Sequence, residues 1–453
     1  MGTMRYVQLT YVSAAALLIW LGNTLQANAG AYSVREQSAQ FMGTSFAGDA
    51  AGGDLSSMFW NPAATASLDG INFSANASLL FPSSNLTATP DSLFYSLGAG
   101  SGNYGQDALV PATYANYQLS DRWYLGLALN SPFGFTTKPS NEWAGSPIEI
   151  TSKIFTLDIN PTLAYKLTPE IMVGAGLQVE YFEVWENSGA GAIPPVPPVG
   201  FPGLAWTGRT VNASDWGVGA TAGAIWQPTA WTSIGLGYRS PVELNPSGVC
   251  SGFGLTNIEA GLAGGNPLGC IGGTSIHSSI TLPETVTLSA RQQLNDRLAL
   301  LGTFEWAHWG RVQATFAYND AGVAVDSVPV SFDDGWFFAL GGEYKYGPAL
   351  TLRAGLSYEK SPVTDANRTQ FLPDADRLTP SIGASYKWSE RVTIDLAYSH
   401  LFFNSGSLRE VATLPAPIGP ITFLDAVANT DVDFVSLGVK YRWSASAPLE
   451  SYK

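Results

Sequence analysis

The chain has 453 residues, with 22 Lys+Arg against 36 Asp+Glu for a net charge of −14, and only 13% of its residues are charged, about half the share in a soluble globular protein. That balance disfavours nucleic acid, whose phosphates need a basic surface, and a polybasic membrane-surface binder. A mean hydropathy of +0.07 is far too low for a bundle of transmembrane helices, whereas 12% aromatic residues and 48 glycines suit a membrane protein made of strands, in which every second residue faces lipid.

Residues 1–29 read as an export signal. Arg5 supplies a positive start, Ala14-Ala15-Ala16-Leu17-Leu18-Ile19-Trp20-Leu21 an apolar run, and Ala27-Asn28-Ala29 a small-x-small cleavage site. Nothing after Gly30 resembles a second helical span, so an exported membrane protein of this composition must be a closed barrel. Residues 30–69 do not alternate. They are rich in small residues (Gly43, Ala47, Gly48, Ala50, Ala51, Gly52, Gly53) and hold Asn61-Pro62-Ala63. A wide barrel passes water unless something fills it, and the segment is expected to pack inside as a plug, with 70–443 forming the barrel and 444–453 a tail.

Past residue 70 the pattern has period 2, the mark of a strand with two unlike faces. Trp123, Leu125, Leu127 and Leu129 alternate with Tyr124, Gly126, Ala128 and Asn130. The apolar set Ile171, Val173, Ala175, Leu177, Val179 and Tyr181 alternates with Gly, polar and charged residues, and so does Val392, Ile394, Leu396 and Tyr398. A soluble sandwich shows the same alternation with its apolar face inward. The strand ends separate the two, because aromatics gather there as they do at membrane interfaces: Trp123 and Tyr124, Trp226 and Trp231, Trp306 and Trp309, Trp336 and Phe337, Tyr386 and Trp388, Tyr441 and Trp443. Connections alternate in length. Short turns fall at 119–122, 167–170, 227–230, 294–297, 346–348 and 389–391. Long Gly/Pro/Ser-rich loops fall at about 82–110, 135–149, 187–211, 245–274, 317–330, 361–375 and 404–430. Six short turns and seven long loops require about 14 strands, all-β and antiparallel, with both chain ends on the short-turn, periplasmic side.

Several residues interrupt this regularity. Pro132 and Gly134 break a strand otherwise regular from Trp123, since Pro removes a ladder donor and Gly marks a bulge or bend. Cys250 and Cys270 share one long loop that faces an oxidising exterior, so a disulfide stapling that loop is expected. Two thiols are too few for metal ligation, and no cofactor motif stands in the chain. Pro194-Pro195-Val196-Pro197-Pro198 reads as a stiff apolar loop segment. His277, His308 and His400 invite an enzyme reading, but no Gly-x-Ser-x-Gly elbow accompanies them.

An ordered set of motifs then resembles one family. The run Gly43-Thr44-Ser45-Phe46-Ala47-Gly48-Asp49-Ala50-Ala51 leads to Phe59-Trp60-Asn61-Pro62-Ala63. Asn130-Ser131-Pro132-Phe133-Gly134 and Asn160-Pro161-Thr162-Leu163-Ala164-Tyr165 follow, then Leu282-Pro283-Glu284-Thr285 and Trp306-Ala307-His308-Trp309. The set closes with Ser361-Pro362-Val363, Asn367-Arg368 and Leu372-Pro373-Asp374-Ala375-Asp376-Arg377. This order resembles the long-chain fatty acid and hydrocarbon transporters of Gram-negative outer membranes, the FadL/TodX family. The resemblance implies a 14-stranded transmembrane barrel plugged by an N-terminal hatch carrying Asn61, Pro62 and Ala63. It places Tyr32 and Val34 at the ligand pocket, and Asn130, Pro132, Phe133 and Gly134 at a lateral gate in the third strand.

The function so implied is passive outer-membrane transport of hydrophobic molecules, long-chain fatty acids first, captured by extracellular loops and released sideways into outer-membrane lipid by a monomer. An acyl chain gains about 0.8 kcal/mol per buried CH2, so an apolar conduit feeding lipid avoids an aqueous step. Arg353, Arg377 and Lys440 are candidate partners for a carboxylate by inward-facing or loop-edge position alone. The alternatives are uptake of aromatic or alkane hydrocarbons, a lipid-acting barrel enzyme and a general porin.

Overall fold

The alternating segments form β-strands whose apolar sides point away from the barrel axis. Leu177 is 53% exposed, Val218 66% and Leu340 74%, while Gln178, Glu180 and Tyr124 are buried. A soluble sandwich would reverse this. The structure, a computed structural model, describes residues 30–193, 204–253, 265–266, 268–313, 315–328, 330–414 and 419–443. The expected signal at 1–29, the Pro194–Pro198 run and the tail at 444–453 lie outside the described residues.

The wall is a closed antiparallel barrel of 14 strands. Its first strands are β1 (Ile71–Ala88), β2 (Ala108–Gln118), β3 (Trp123–Asn130, resuming as Gly134–Thr137), β4 (Thr151–Lys166) and β5 (Ile171–Asn187). Next come β6 (Gly208–Thr229), β7 (Thr232–Arg239), β8 (Thr285–Gln293), β9 (Leu298–Ala307) and β10 (Gly335–Lys345). The wall ends with β11 (Leu350–Lys360), β12 (Arg377–Lys387), β13 (Val392–Phe403) and β14 (Gly419–Trp443). Each strand pairs with the next. Closure runs from Ile71↔Trp443 to Ala88↔Ala426, which joins the first strand to the last and closes the ring.

Two expectations change. The stretches at 245–274, 317–330 and 404–430 are not simply loops. Ser247–Phe253 pairs with the upper half of β6 and with Thr274–His277, which reaches the hairpin Thr315–Asn319/Ala324–Val328, while Gly406–Leu414 pairs with β14. Gly- and Ser-rich composition marks loops only statistically; here neighbouring strands supply the pairing. The aromatic belts are also only half outward. Trp123, Trp336 and Trp388 are exposed, whereas Tyr124, Phe337 and Trp309 are buried. Successive residues of a strand point to opposite faces, which turns Tyr124 and Phe337 inward beside their exposed neighbours; Trp309 follows the end of β9, in a short 3-10 turn at Trp309–Arg311.

Residues 30–69 lie within the ring of strands. The segment holds α1 (Ala39–Met42), capped by the Ser38 hydroxyl, and 3-10 turns at Asp49–Ala51, Leu55–Phe59 and Pro62–Ala66. Its polar contacts reach the wall on all sides. Ala39 N–H donates to Asn76 on β1, the Thr65 hydroxyl meets Thr162 on β4, Gly48 N–H donates to Thr303 on β9, and the Ser45 hydroxyl donates to the Thr379 carbonyl on β12. Inward glycines make room for this. A Cβ at Gly235 would strike the Ala50 carbonyl and one at Gly237 the Trp60 carbonyl.

Candidate functional site: an interrupted strand beside an aromatic pocket

Between the pairs Asn130↔Asp158 and Gly134↔Phe155, β3 uses three residues where β4 uses two. The surplus residue is a bulge, which bends the strand and locally stops the ladder. Thr156 of β4 replaces the lost ladder with its side chain: its hydroxyl donates to the Phe133 carbonyl at 2.8 Å and accepts from Phe133 N–H at 3.0 Å. The Ser131 hydroxyl donates to the Thr156 carbonyl at 2.8 Å. On the other edge, pairing of β2 with β3 stops at Thr113↔Leu129, and the next bridge is Gly105↔Thr137. Between those points the wall has no β2–β3 ladder among the described residues.

The start of the described chain fills this break from inside. Val34 N–H donates to the Pro132 carbonyl and Gly134 N–H to the Tyr32 carbonyl, both at 2.7 Å, around the bridge Ser33↔Phe133. Gln37 completes the seat. Its Nε2 donates to the Ser131 carbonyl at 2.7 Å and to the Val34 carbonyl at 3.0 Å, and its Oε1 accepts from Asn130 Nδ2 at 3.2 Å. Asn130 also donates to the Tyr114 hydroxyl, which donates to the Gln37 carbonyl. Tyr32, Val34, Asn130, Pro132, Phe133 and Gly134, expected separately at a pocket and at a gate, are thus one assembly.

Tyr32 sits in a cage of rings: Trp309 edge-on at 4.7 Å between centroids, Phe133 at 6.0 Å, and Phe135 and Phe332 both at 6.3 Å. Beside Ser33 lies a small cavity of about 30 Å³, bounded by Pro132, Phe133, Phe59, Trp60, Trp309, Glu305 and two arginines, Arg35 and Arg239. Arg35 pairs with Glu305 at 2.8 Å and lies 3.7 Å from the Phe337 ring centroid. Arg239 pairs with Asp158 at 2.7 Å, donates to the Phe59 carbonyl at 3.1 Å and lies over the Phe59 ring. Its walls are largely aromatic, and its charges form two ion pairs, Arg35 with Glu305 and Arg239 with Asp158.

The carboxylate candidates chosen from sequence stand elsewhere. Arg353 pairs with Glu343 at 2.7 Å and Lys440 with Asp54 and Asp395 at 2.5 and 2.8 Å, both towards the short-turn mouth. Arg377 pairs with Glu359 at 2.6 Å and Asp374 at 3.0 Å. Arg35, Gln37, Thr156 and Arg239 escaped the sequence reading. Nothing in their local pattern marks them, because they meet only across the barrel. Trp309 was visible as an aromatic and assigned to the wrong face.

Asn61 caps its 3-10 turn by accepting from Ala63 N–H at 3.0 Å, and its amide donates to the carbonyls of Ala50 and Ala224 at 2.8 and 3.0 Å. Pro62 occupies the first turn, where its missing N–H costs nothing. Asp49, in the same segment, accepts from the Ser289 and Thr303 hydroxyls. Burial, with Glu305 nearby, pushes it up to about 7. The sulfurs of Cys250 and Cys270 are bonded, in a small extracellular core with Val211, Ile276, Ala317 and Val325. Among the described residues no group of three or more His, Cys, Asp or Glu could hold a metal ion. His308 pairs with Glu284 and His400 with Asp433, while His277 packs on Tyr318.

Residues 21–443 match the family model described as outer membrane protein transport protein (OMPP1/FadL/TodX). Outer membrane protein P1 of Haemophilus influenzae is 25% identical, over 88% of this chain and 91% of that protein. A long-chain fatty acid transport protein of Escherichia coli O6:H1 is 26% identical over 86% and 90%. The crystal structure of a Pseudomonas aeruginosa FadL homologue superposes with a TM-score of 0.79 at 24% identity, covering 91% of this chain and 99% of that one. The toluene transporter TodX of Pseudomonas putida gives 0.63 at 17% identity, covering 92% and 100%.

Proposed function

The chain belongs to the outer membrane protein transport protein family (OMPP1/FadL/TodX), and from that premise we propose that it carries hydrophobic molecules, long-chain fatty acids first, passively from the outside into the outer-membrane bilayer. It is a Gram-negative outer-membrane barrel whose relatives are transporters. In this reading the extracellular sheet and loops collect the ligand, and the aromatic cavity beside Ser33 holds it once its walls part. Residues 30–69 act as a hatch that denies the straight route through the lumen. The ligand then leaves sideways where β2 and β3 are not laddered, entering lipid directly, and a single chain suffices.

The observation that carries this reading is the pairing of Tyr32 and Val34 with Pro132 and Gly134 beside an aromatic cavity. Shifting a few hydrogen bonds there joins a pocket to the one unladdered stretch of that seam. Arg35 and Arg239 are the cations at the cavity, and a substrate carboxylate would take the place of their present partners, Glu305 and Asp158. The cavity's aromatic walls keep an aromatic or alkane hydrocarbon as the second reading.

Uptake of labelled oleate and labelled toluene by cells lacking their own such transporters, expressing this chain or its Pro132→Ala/Gly134→Val variant, tests both. Oleate uptake that the variant loses supports fatty-acid transport through the third strand. Toluene uptake without oleate transfers the protein to the hydrocarbon reading. Ionic conductance in a planar bilayer would instead make it a general porin, and labelling by a serine-reactive phosphonate would reopen a lipid-acting enzyme.

A further inference from the structure

We propose that the cavity beside Ser33 takes its ligand with a head group that donates a hydrogen bond and carries no negative charge, a hydroxyl or a protonated carboxyl, and that Asp158 and Glu180 enforce this choice. The inference deepens the transport reading and rests on it. The charges joined to the cavity do not balance. Arg35 and Arg239 line it, and Arg377 is linked to Arg35 through Glu359. Against these three cations stand seven carboxylates. Glu305 and Glu359 lie at Arg35, Asp158 pairs with Arg239, and Asp374 pairs with Arg377. Glu180 is the cross-strand partner of Asp158, and both are buried. Within residues 30–69, Glu36 interacts electrostatically with Arg377 and Arg35, and Asp49 accepts from Thr303, two residues before Glu305 on the same face of β9. One further cation would still leave carboxylates in excess. Arg368, close to Asp374, is already paired with Asp365. The network towards the short-turn mouth does balance, with Arg291, Arg353 and Lys440 against Glu343, Asp395 and Asp54.

Several of these carboxylates also lack donors. Both Glu180 oxygens, Asp158 Oδ1, Glu36 Oε2 and Asp49 Oδ2 are buried without a hydrogen-bond partner among the described residues. Thr156, two residues before Asp158 on the same face of β4, gives its one proton to the Phe133 carbonyl. Burial pushes Glu36 and Asp49 up to about 7, so the site already resists negative charge. An incoming carboxylate would add an eighth negative charge and bring no proton. Taking the place of Asp158 on Arg239 would leave Asp158 buried beside Glu180 without a counter-charge, which is costly. A hydroxyl or a protonated carboxyl instead brings the donor that these acceptors lack. The apolar chain then supplies affinity, and the protonation state of the head sets the selection.

The test is binding of two probes of equal chain length, 1-dodecanol and dodecanoate, to the folded full-chain barrel in non-ionic detergent, with partition into protein-free detergent subtracted. At pH 8 dodecanoate is ionised, and dodecanol should bind roughly tenfold or more tightly by comparison. Between pH 8 and pH 6 the dodecanoate affinity should rise by about tenfold or more, as its protonated fraction grows, while that of dodecanol stays within about threefold. Asp158→Asn frees Arg239 for a carboxylate, so dodecanoate binding at pH 8 should tighten roughly tenfold. Glu180→Gln should shift it in the same direction by less. Dodecanoate bound at pH 8 as tightly as dodecanol overturns the inference and leaves transport of hydrophobic molecules standing. A wild-type preference that neither variant alters overturns it too. If Asp158→Asn does not fold, Glu180→Gln and the wild-type comparison decide. Binding of neither probe at either pH removes the pocket itself, and the transport reading falls with the inference.

Discussion

The backbone N–H of Val34 donates to the carbonyl of Pro132 over 2.7 Å, so the interruption of one wall strand is closed by a segment from the far start of the chain. Pro132 offers no N–H in return. The seal therefore depends on few bonds, and the side chains that brace it are the sensitive ones.

Gln37 is the first of these. Gln37→Leu removes the donor to the Ser131 carbonyl and the acceptor for Asn130 Nδ2. Buried groups left without partners cost about 1–3 kcal/mol. The variant should unfold at lower denaturant concentration, and hydrogen exchange at Val34 and Gly134 should speed up while the β10–β11 ladder stays protected. Unchanged exchange at those two amides would show that Gln37 does not brace the break.

Tyr32 separates shape from polarity. Its hydroxyl is buried without a hydrogen-bond partner among the described residues, so Tyr32→Phe should leave stability equal or slightly higher. Tyr32→Ala empties the ring cage of Phe133, Trp309 and Phe332, a loss of about 3–5 kcal/mol. Denaturant midpoints of the two variants measure the contrast; equal losses would mean that the hydroxyl matters.

Asp49 gives a pH dependence. Its folded value, about 7, lies above the ordinary 3.8, so the folded state binds the proton more tightly than the unfolded one. The stabilisation is complete below about pH 4 and is lost as pH rises to about 7, then levels off. Denaturation midpoints should fall across that window in wild type. Asp49→Asn should flatten that part of the curve, and an unaltered slope would remove Asp49 as its source.

The disulfide acts locally. Cys250 and Cys270 are 20 residues apart, and closing such a loop stabilises by about 3 kcal/mol in the chain-entropy treatment. Cys250→Ser/Cys270→Ser should leave the barrel folded in detergent, judged by its heat-dependent electrophoretic migration. Protease added to intact cells should cut between about residues 245 and 277 faster than in wild type. Equal cutting would show that the strand pairing of Ser247–Phe253 alone holds that sheet.

The strand count, the chain order of the barrel and the position of the interruption were all legible, because period-2 alternation and turn length are local properties. Leu177 next to Gln178, or Pro132 directly after the regular run from Trp123 to Asn130 and Ser131, needs no distant partner to be recognised. The extracellular hairpins were not legible. Ser247–Phe253 is Gly-, Ser- and Cys-bearing, and it becomes a strand only because β6 continues alongside it.

By itself the sequence determined that strands with one apolar face build the wall, where they turn, and which strand is broken, since each follows from the alternation and spacing of neighbouring residues. It left open what meets at the break. That was decided by closure: once β1 pairs with β14, the lumen brings Tyr32, Gln37, Pro132, Arg239 and Trp309 together. No local pattern encodes that meeting, because the Tyr32–Gln37 segment, Pro132, Arg239 and Trp309 lie far apart along the chain and become neighbours only when the ring closes around residues 30–69.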